Sequence, residues 1–150
     1  MWTKACSPCA LHFKHVATEP KTLPLRGESD IVQARREVRD LTIKLGCSLV
    51  EQTKFVTATS EIARNTLVHG KGGGMTIEEI EREGHRGIRL VFTDEGPGIP
   101  DIETALRDHY TTGNGMGLGL SGARRLVHEF DIHSEVGKGT RVVLIKWSGR

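Results

Sequence analysis

Long apolar runs are missing from this 150-residue sequence, and none approaches the roughly 18 residues that a helix needs to cross a bilayer. Its N-terminus has no long apolar stretch of the secretory kind, so no signal peptide is predicted and a cytoplasmic location is the default expectation. An excess of charge of one sign is also missing, because 21 basic residues face 19 acidic ones and leave a net charge of +2. So small an excess does not favour a nucleic acid or an anionic membrane as the main partner.

Cysteine and proline are scarce, with three and five residues. An odd number of cysteines in a chain of this length argues against a disulfide framework and is typical of a reducing compartment. So few prolines exclude a Pro/Gly low-complexity chain, and the lack of a Gly-X-Y period excludes collagen. Cys6 and Cys9, with two histidines close behind, have zinc-binding chemistry, but their irregular spacing makes a zinc site the weaker hypothesis. Cys47 follows a predicted helix end and is expected to be a small core residue.

Glycine is the residue that this sequence has in excess. Of its 18 glycines, 15 lie between Gly70 and Gly139 and only three lie outside that range. Clustered glycine in a globular chain indicates backbone that turns sharply or approaches a ligand closely.

Hydrophobic periodicity predicts one domain with the element order β-α-α-β-β-loop-α-β-β. Residues 1–21 show no period and are predicted to be a flexible extension, and residues 22–150 are predicted to form the domain. Because hairpins and helices are grouped, we expect an α+β two-layer sandwich, with a mixed, mostly antiparallel sheet and the helices on one face. The predicted elements are a strand over 22–26, a helix capped by Ser29 or Asp30 and stopped by Gly46, a helix over Leu49–His69 with a Ser48/Glu51 capping box, a hairpin over Met75–Thr93, a short helix over Ile102–Asp108, a helix over Leu118–Phe130, and strands over Ile132–Ser134 and Thr140–Trp147.

Three polar or glycine-rich clusters could carry chemistry. The first is Glu61 and Asn65, which share one face of the second helix because they are four residues apart. A carboxylate and an amide oxygen side by side can hold hydrated Mg²⁺, since hard cations prefer oxygen ligands. Taken alone, this pair is more simply explained as a solvent-facing part of the helix.

The second cluster, Asp94-Glu-Gly96-Pro-Gly98, lies at the predicted end of a strand. Asp94 can accept a hydrogen bond from an exocyclic amine, and the two glycines allow the backbone to approach a flat ring. An Asp-initiated turn would have the same sequence, so this cluster alone is a weak signal.

The third cluster alternates glycines, at Gly113, Gly115, Gly117 and Gly119, directly before a predicted helix. Free amide groups at a helix N-terminus can hold phosphate, although a flexible hinge has the same composition. A dinucleotide-binding loop is excluded because the glycines do not follow a strand, and a P-loop is excluded because no Gly-Lys-Ser/Thr follows them.

Together, in this order, the clusters resemble the N, G1 and G2 boxes of the Bergerat-fold (GHKL) ATPases, and Gly139-Thr140 resembles their closing motif. The resemblance covers residues 23–147 and implies ATP and Mg²⁺ as cofactors. It implies that Glu61 is, or orients, the general base and that Asn65 coordinates Mg²⁺. The other implied roles are adenine binding by Asp94 with Thr140, shaping of the adenine pocket by Gly96 and Gly98, and lid motion with phosphate binding by Gly115, Gly117, Leu118 and Gly119.

Short sequence segments indicate the branch of the family. The segments SEIARN, DEGPGIPD and GKGT resemble the serine/threonine kinases among the anti-sigma regulatory factors, and most of all the stressosome switch kinases. Only 16 residues separate Gly98 from Gly115, too few for a gyrase or chaperone lid. This resemblance implies phosphorylation of STAS-domain proteins and activation of a PP2C-type phosphatase. Two alternatives stay open: an anti-sigma factor that sequesters a sigma factor, and a nucleotide-binding switch without kinase activity.

Overall fold

The computed structural model describes residues 14–15, 18–107 and 119–149. These residues form an α+β fold, which confirms the predicted class. The elements in chain order are β1 (Lys14–His15), β2 (Lys21–Leu25), α1 (Glu28–Lys44), α2 (Leu49–Val68), β3 (Gly73–Arg82), β4 (His85–Asp94), α3 (Ile102–Ala105), α4 (Gly119–Arg125), β5 (Glu129–Glu135) and β6 (Gly139–Trp147).

The strands form one sheet in the order β1-β3-β4-β6-β5, and β2 lies beside the first half of β3. All five described strand pairings are antiparallel. The β3–β4 hairpin turns through Glu83 and Gly84, whose φ angles of 52° and 78° are those of the tight turns that suit twisted hairpins. Antiparallel order brings the start of β3, the end of β4, the start of β6 and the end of β5 to the same end of the sheet.

The helices cover one face of the sheet. Capping of α2 is as predicted, because the Glu51 amide donates to the Ser48 hydroxyl at 3.3 Å and the Ser48 amide donates to the Glu51 carboxylate at 3.0 Å. Cys47 is buried as expected, and burial raises the pKa of its thiol. The core between the two layers includes Phe55 and Ile62 of α2, Met75 and Ile77 of β3, Ile88, Leu90 and Phe92 of β4, and Val142 and Leu144 of β6.

The opposite face of the sheet carries a second buried cluster around Trp147. Ile80, Val143 and Ile145 pack there with it, so Trp147 and the aliphatic residues of β6 are core residues. The Arg82 guanidinium lies 4.7 Å from the centre of the Trp147 ring, and the indole N–H donates to Glu129 at 2.8 Å.

Several predicted boundaries are wrong, and α3 for instance ends at Ala105 rather than at Asp108. The helix expected to reach Phe130 ends at Arg125, and Phe130 lies in β5, because the backbone from Glu129 onward pairs with β6. That pairing is remote in sequence, so helical spacing could not reveal it. The N-cap of α1 is Gly27 rather than Ser29 or Asp30, and the Asp30 carboxylate instead accepts the Arg26 amide at 2.8 Å.

The N-terminal part is described only in pieces. Lys14 and His15 pair with Glu81 and Ile80 of β3, and β2 begins at Lys21. A division of the chain at residue 21 stays a prediction. Across the described ranges, no helix is both long and apolar enough to cross a membrane.

Candidate functional site

Three polar side chains form a row across the sheet at the end where β4 finishes. Asp94 ends β4, Thr140 lies at the start of β6, and Ser134 lies near the end of β5. Side chains alternate between the two faces of a strand, so each continues the helix-facing series of its own strand. Phe92 precedes Asp94 in that series, and Val142 follows Thr140. We call these three residues the strand-end row.

Asp94 is buried, with 9% of its surface exposed. Its Oδ1 accepts hydrogen bonds from the amides of Gly96, at 2.9 Å, and Thr140, at 3.3 Å. Burial raises the pKa of this carboxyl, and the two backbone hydrogen bonds oppose that rise without cancelling it. No hydrogen bond from another described residue reaches Oδ2, so that oxygen can accept from a ligand.

Glycines surround this carboxylate and explain part of the glycine excess. An ideal Cβ on Gly70 would lie 2.3 Å from Asp94 Cγ, and one on Gly96 would lie 2.7 Å from the Gly70 Cα. Gly139 has φ of 108°, and its Cβ would lie 2.0 Å from the Asp94 carbonyl oxygen. Any side chain at these positions would displace Asp94 or its neighbours, so space requires glycine at all three, and the positive φ favours it at Gly139 as well.

The backbone from Gly96 to Ile99, here the Gly96–Ile99 segment, is held by the turn between β5 and β6. The Gly137 amide donates to the Pro97 carbonyl at 2.9 Å. Gly98 has φ of 76°, and a Cβ there would lie 2.3 Å from the Glu135 carbonyl oxygen. The far end of the segment is held by the Ile99 amide, which donates to the Ser134 hydroxyl at 2.7 Å.

Glu61 and Asn65 lie one turn apart on α2, and both are half-buried. Within the described part of the chain, neither side chain has a hydrogen bond or an ion pair, so their oxygens are available to a ligand. The backbone carbonyl of Asn65 accepts the amides of His69 and Gly70 at 2.9 and 3.1 Å. Since Gly70 abuts the Asp94 carboxylate, the end of α2 is fixed against the strand-end row.

The glycine loop is described only at its last residue. Gly119 begins α4 with φ of 51°, and Leu120 and Ala123 of this helix belong to the same core as α2. Gly115, Gly117 and Leu118 lie outside the described residues, so their roles stay predictions.

The residues that sequence reasoning singled out thus fall into two described groups, with Asp94, Gly96 and Thr140 in direct contact and Glu61 with Asn65 on the adjoining helix. Gly98 lies two residues after Gly96 in the same segment. Sequence reasoning missed Ser134 and the contact of Gly70 with Asp94. Strand alternation is the signal for Ser134, because it lies two residues after Ile132 on the same face.

The donor set fits ATP and Mg²⁺. Oδ2 of Asp94 is an acceptor, with no hydrogen bond from another described residue, as an exocyclic amine requires. The carboxylate and amide oxygens of Glu61 and Asn65 are the ligand type that Mg²⁺ prefers.

Comparisons with known proteins agree with this arrangement. Residues 50–148 match the family described as histidine kinase-, DNA gyrase B- and HSP90-like ATPase. The chain is 41% identical over 120 residues to the serine/threonine-protein kinase RsbT of Bacillus subtilis, covering 80% of this chain and 90% of that protein. It is 34% identical over 120 residues to the anti-sigma F factor of Geobacillus kaustophilus, covering 75% of this chain and 81% of that protein.

A solved structure shows the same fold. The crystal structure of the RsbU and RsbW domains of a Mycobacterium tuberculosis protein superposes with a TM-score of 0.59 and 21% identity. The match covers 86% of this chain and 32% of that longer chain, so the likeness concerns the fold alone. From the family match and the extended similarity to RsbT, the chain belongs to the histidine kinase-, DNA gyrase B- and HSP90-like ATPase family.

Proposed function

We propose that this protein is an ATP-dependent serine/threonine protein kinase of a bacterial partner-switching pathway. One observation carries the proposal: a buried carboxylate, Asp94, is held by backbone amides alone among the described residues and keeps one oxygen for a ligand. A buried acid with a raised pKa, packed closely among glycines, is typical of a functional site. The 41% identity to a serine/threonine-protein kinase supports phosphotransfer as the chemistry.

Each end of the nucleotide has residues of this chain to hold it. Asp94 and Thr140 bind the adenine, and Gly96 and Gly98 give the ring access to the backbone. Asn65 coordinates Mg²⁺. The phosphates are held by the glycine loop of Gly115 and Gly117 and by the start of the following helix, Leu118 and Gly119. When bound, the nucleotide supplies the phosphoryl group, and Mg²⁺ neutralises its developing charge.

Glu61 acts on the acceptor hydroxyl of the partner protein. Its carboxylate accepts the hydroxyl proton while that oxygen forms its bond to phosphorus, and the bond to the departing diphosphate oxygen breaks. Because no described residue forms an ion pair with Glu61, the carboxylate remains free to take that proton. A position on the same helix face as Asn65 keeps the base and the metal ligand in a fixed relation.

The partners belong to the same proposal. The phosphorylated protein is a STAS-domain antagonist or scaffold, and the released kinase activates a PP2C-type phosphatase. Because the reaction consumes ATP and acts on regulatory proteins of the cell interior, we place it in the cytoplasm.

The test is phosphate transfer from γ-labelled ATP to a STAS-domain protein of the same organism. We expect Glu61→Gln to reduce transfer at least about 100-fold with ATP affinity retained, since the loss of a general base removes a factor of this size. Asn65→Ala should abolish transfer and also weaken Mg²⁺-dependent ATP binding. Glu83→Gln, at an exposed turn of the sheet's far end, is the matched control and should behave as wild type. Full transfer by the Glu61 or Asn65 variant would contradict the proposal.

A second candidate is an anti-sigma factor, favoured by the 34% identity to an anti-sigma F factor. Retention of a sigma factor by the purified chain in the presence of ATP would favour it over the switch kinase. Binding of ATP without any transfer to STAS-domain proteins would instead indicate a nucleotide-dependent switch lacking kinase activity.

A further inference from the structure

Ser134 has three hydrogen-bond contacts, and recognition of a base by Asp94 and Thr140 does not account for them. Its hydroxyl oxygen lies 2.7 Å from the Ile99 amide nitrogen, 2.7 Å from Thr140 Oγ1 and 3.1 Å from the Gly139 carbonyl oxygen. The side chain is half-buried, and all its partners lie at the end of the sheet that holds Asp94. It therefore links the Gly96–Ile99 segment to the start of β6.

Only one assignment of the Ser134 and Thr140 hydroxyl protons makes all three contacts hydrogen bonds. A serine hydroxyl has one proton to donate and two lone pairs to accept with. The Ile99 amide can only donate, and the Gly139 carbonyl can only accept. Ser134 therefore donates to Gly139, and Thr140 donates its own proton to Ser134.

This arrangement fixes what Thr140 offers to a ligand. With its proton committed to Ser134, Thr140 Oγ1 has only lone pairs left. Its neighbour Asp94 also presents an acceptor, since Oδ1 is occupied by two amides and Oδ2 is free among the described residues. Two adjacent acceptors suit an exocyclic amine, which has two N–H donors, and repel a carbonyl oxygen.

We propose that Ser134 is a positioning residue for base selection. It makes Thr140 an acceptor and holds the Ile99 end of the Gly96–Ile99 segment, so that the site prefers a purine with an amine at the 6-position over one with a carbonyl there. The inference rests on the proposed ATP-binding function. It concerns Ser134 only through Thr140 and Ile99, since no ligand contact of its own is needed.

The experiment uses two nearly isosteric variants of the full chain, Ser134→Thr and Ser134→Val, which differ in the hydroxyl. Equilibrium binding of Mg-ATP and Mg-ITP is measured by calorimetry, because ITP replaces the 6-amine by a carbonyl. Loss of one hydrogen bond in the network should weaken ATP binding about 5- to 10-fold in the Val variant and leave ITP binding nearly unchanged. The ratio of ATP affinity to ITP affinity therefore falls in the Val variant, whereas the Thr variant keeps the wild-type ratio.

A second measurement needs no nucleotide. Hydrogen exchange of the Ile99 amide should be faster in the ligand-free Val variant than in the Thr variant, because its acceptor is gone. Ser148→Ala is the matched control, since it removes a hydroxyl that donates to the Arg86 carbonyl at 2.8 Å at the far end of the sheet. It should change neither the ratio nor the exchange of Ile99. If the Val variant does not fold, Ser134→Ala takes its place.

Each outcome is decisive. Equal ATP/ITP ratios in the Thr and Val variants, or equal losses of both affinities in the Val variant, would overturn the role of Ser134 in base selection and leave the proposed function intact. Failure of the wild-type chain to bind ATP would overturn the proposed function, and with it this inference.

Discussion

Both ends of the helix-facing surface of the sheet bury a carboxylate, but the two carboxylates have opposite kinds of partner. At the far end, Glu79 is 3% exposed and forms ion pairs with Lys44, at 2.7 Å, and with Arg86. Burial is the largest single influence and would raise its pKa, but the hydrogen bonds and charges of these two cations together outweigh burial and lower the pKa. At the near end, Asp94 has only backbone amides as donors among the described residues, and its pKa is raised.

This difference separates structural from functional burial of charge. The cations around Glu79 join β3 to the last turn of α1 and to β4, so the carboxylate contributes to holding the layers together. A second ion pair, between Lys146 of β6 and Glu51 at the start of α2 at 3.5 Å, also joins the sheet to a helix. A carboxylate without a cation contributes less to stability, but it keeps an oxygen for a ligand.

The largest effect is expected at the near end, from Asp94→Asn. The amide oxygen can still accept the Gly96 and Thr140 amides, but the NH₂ group would face the ligand's amine as a second donor. We expect ATP affinity to fall about 100-fold, the loss of one charge-assisted hydrogen bond plus a donor–donor clash. The melting temperature should stay level or rise by about 2–4 °C, because a buried charge is removed. Calorimetric binding and thermal unfolding of one preparation check both parts, and a large fall in melting temperature would contradict the comparison.

The next effect concerns the space around Asp94. In Gly70→Ala the new Cβ would lie 2.3 Å from the Asp94 Cγ, so the carboxylate or the end of α2 must move. We expect about 1–3 kcal/mol of lost stability, as in other overpacked sites, and about 10-fold weaker ATP binding.

Gly27→Ala is the control for this change, because a Cβ there meets nothing within 4 Å. It should cost less than about 1 kcal/mol, the usual range for an N-cap, and leave ATP binding unchanged. Chemical denaturation and nucleotide titration of both variants measure the difference. Equal behaviour of the two would show that the contact of Gly70 with Asp94 is unimportant.

The sequence predicts a residue's place in these two ends only where the pattern that signals it lies within a few neighbouring residues. Glu61 and Asn65 are predicted by helical spacing, and Asp94 by its place after an alternating strand, because each signal lies within a few residues. The pairing of Glu79 with Lys44 joins residues 35 positions apart, and no periodicity indicates it. Strand register decides such contacts, and it is set by tertiary pairing.

The same limit explains the two features at the near end that sequence reasoning missed or misassigned. Phe130 fits a helical stripe as well as a strand, and only the ladder with β6 decides between them. Ser134 is placed beside Thr140 by that same ladder. Sequence patterns therefore indicated candidate site residues and the start of α2, whereas the neighbours of Asp94 and Thr140 are set by three strands in register.

A smaller effect is expected at the far end, from Glu79→Gln. Because two cations lose their charged partner, we expect about 1–2 kcal/mol of lost stability at neutral pH. ATP affinity should not change, since Glu79 lies at the opposite end of β3 from the Asp94 pair. Glu81→Gln, two residues further along the same strand, has no ion pair in the described structure and should cost little. A loss of ATP binding in the Glu79 variant would break the proposed division between the two ends.

The smallest and most discriminating effect is the pH dependence of the two variants. Glu79 has a lowered pKa, so its contribution is present above the ordinary glutamate pKa of 4.5 and is lost as the pH falls through the folded-state value. The stability deficit of Glu79→Gln relative to wild type should therefore hold from pH 7 down to about the ordinary pKa of 4.5 and shrink as the pH falls further. Asp94 has a raised pKa, so its charge costs stability at neutral pH, and that cost disappears as the carboxyl takes up a proton in acid. Any stability advantage of Asp94→Asn should thus also be greatest at pH 7 and vanish in acid. Urea unfolding of wild type and both variants from pH 7 to about pH 3 measures the two differences. Curves that converge from opposite sides support opposite treatment of the two carboxylates, whereas a deficit for both variants at pH 7 would mean that Asp94 stabilises the fold as Glu79 does.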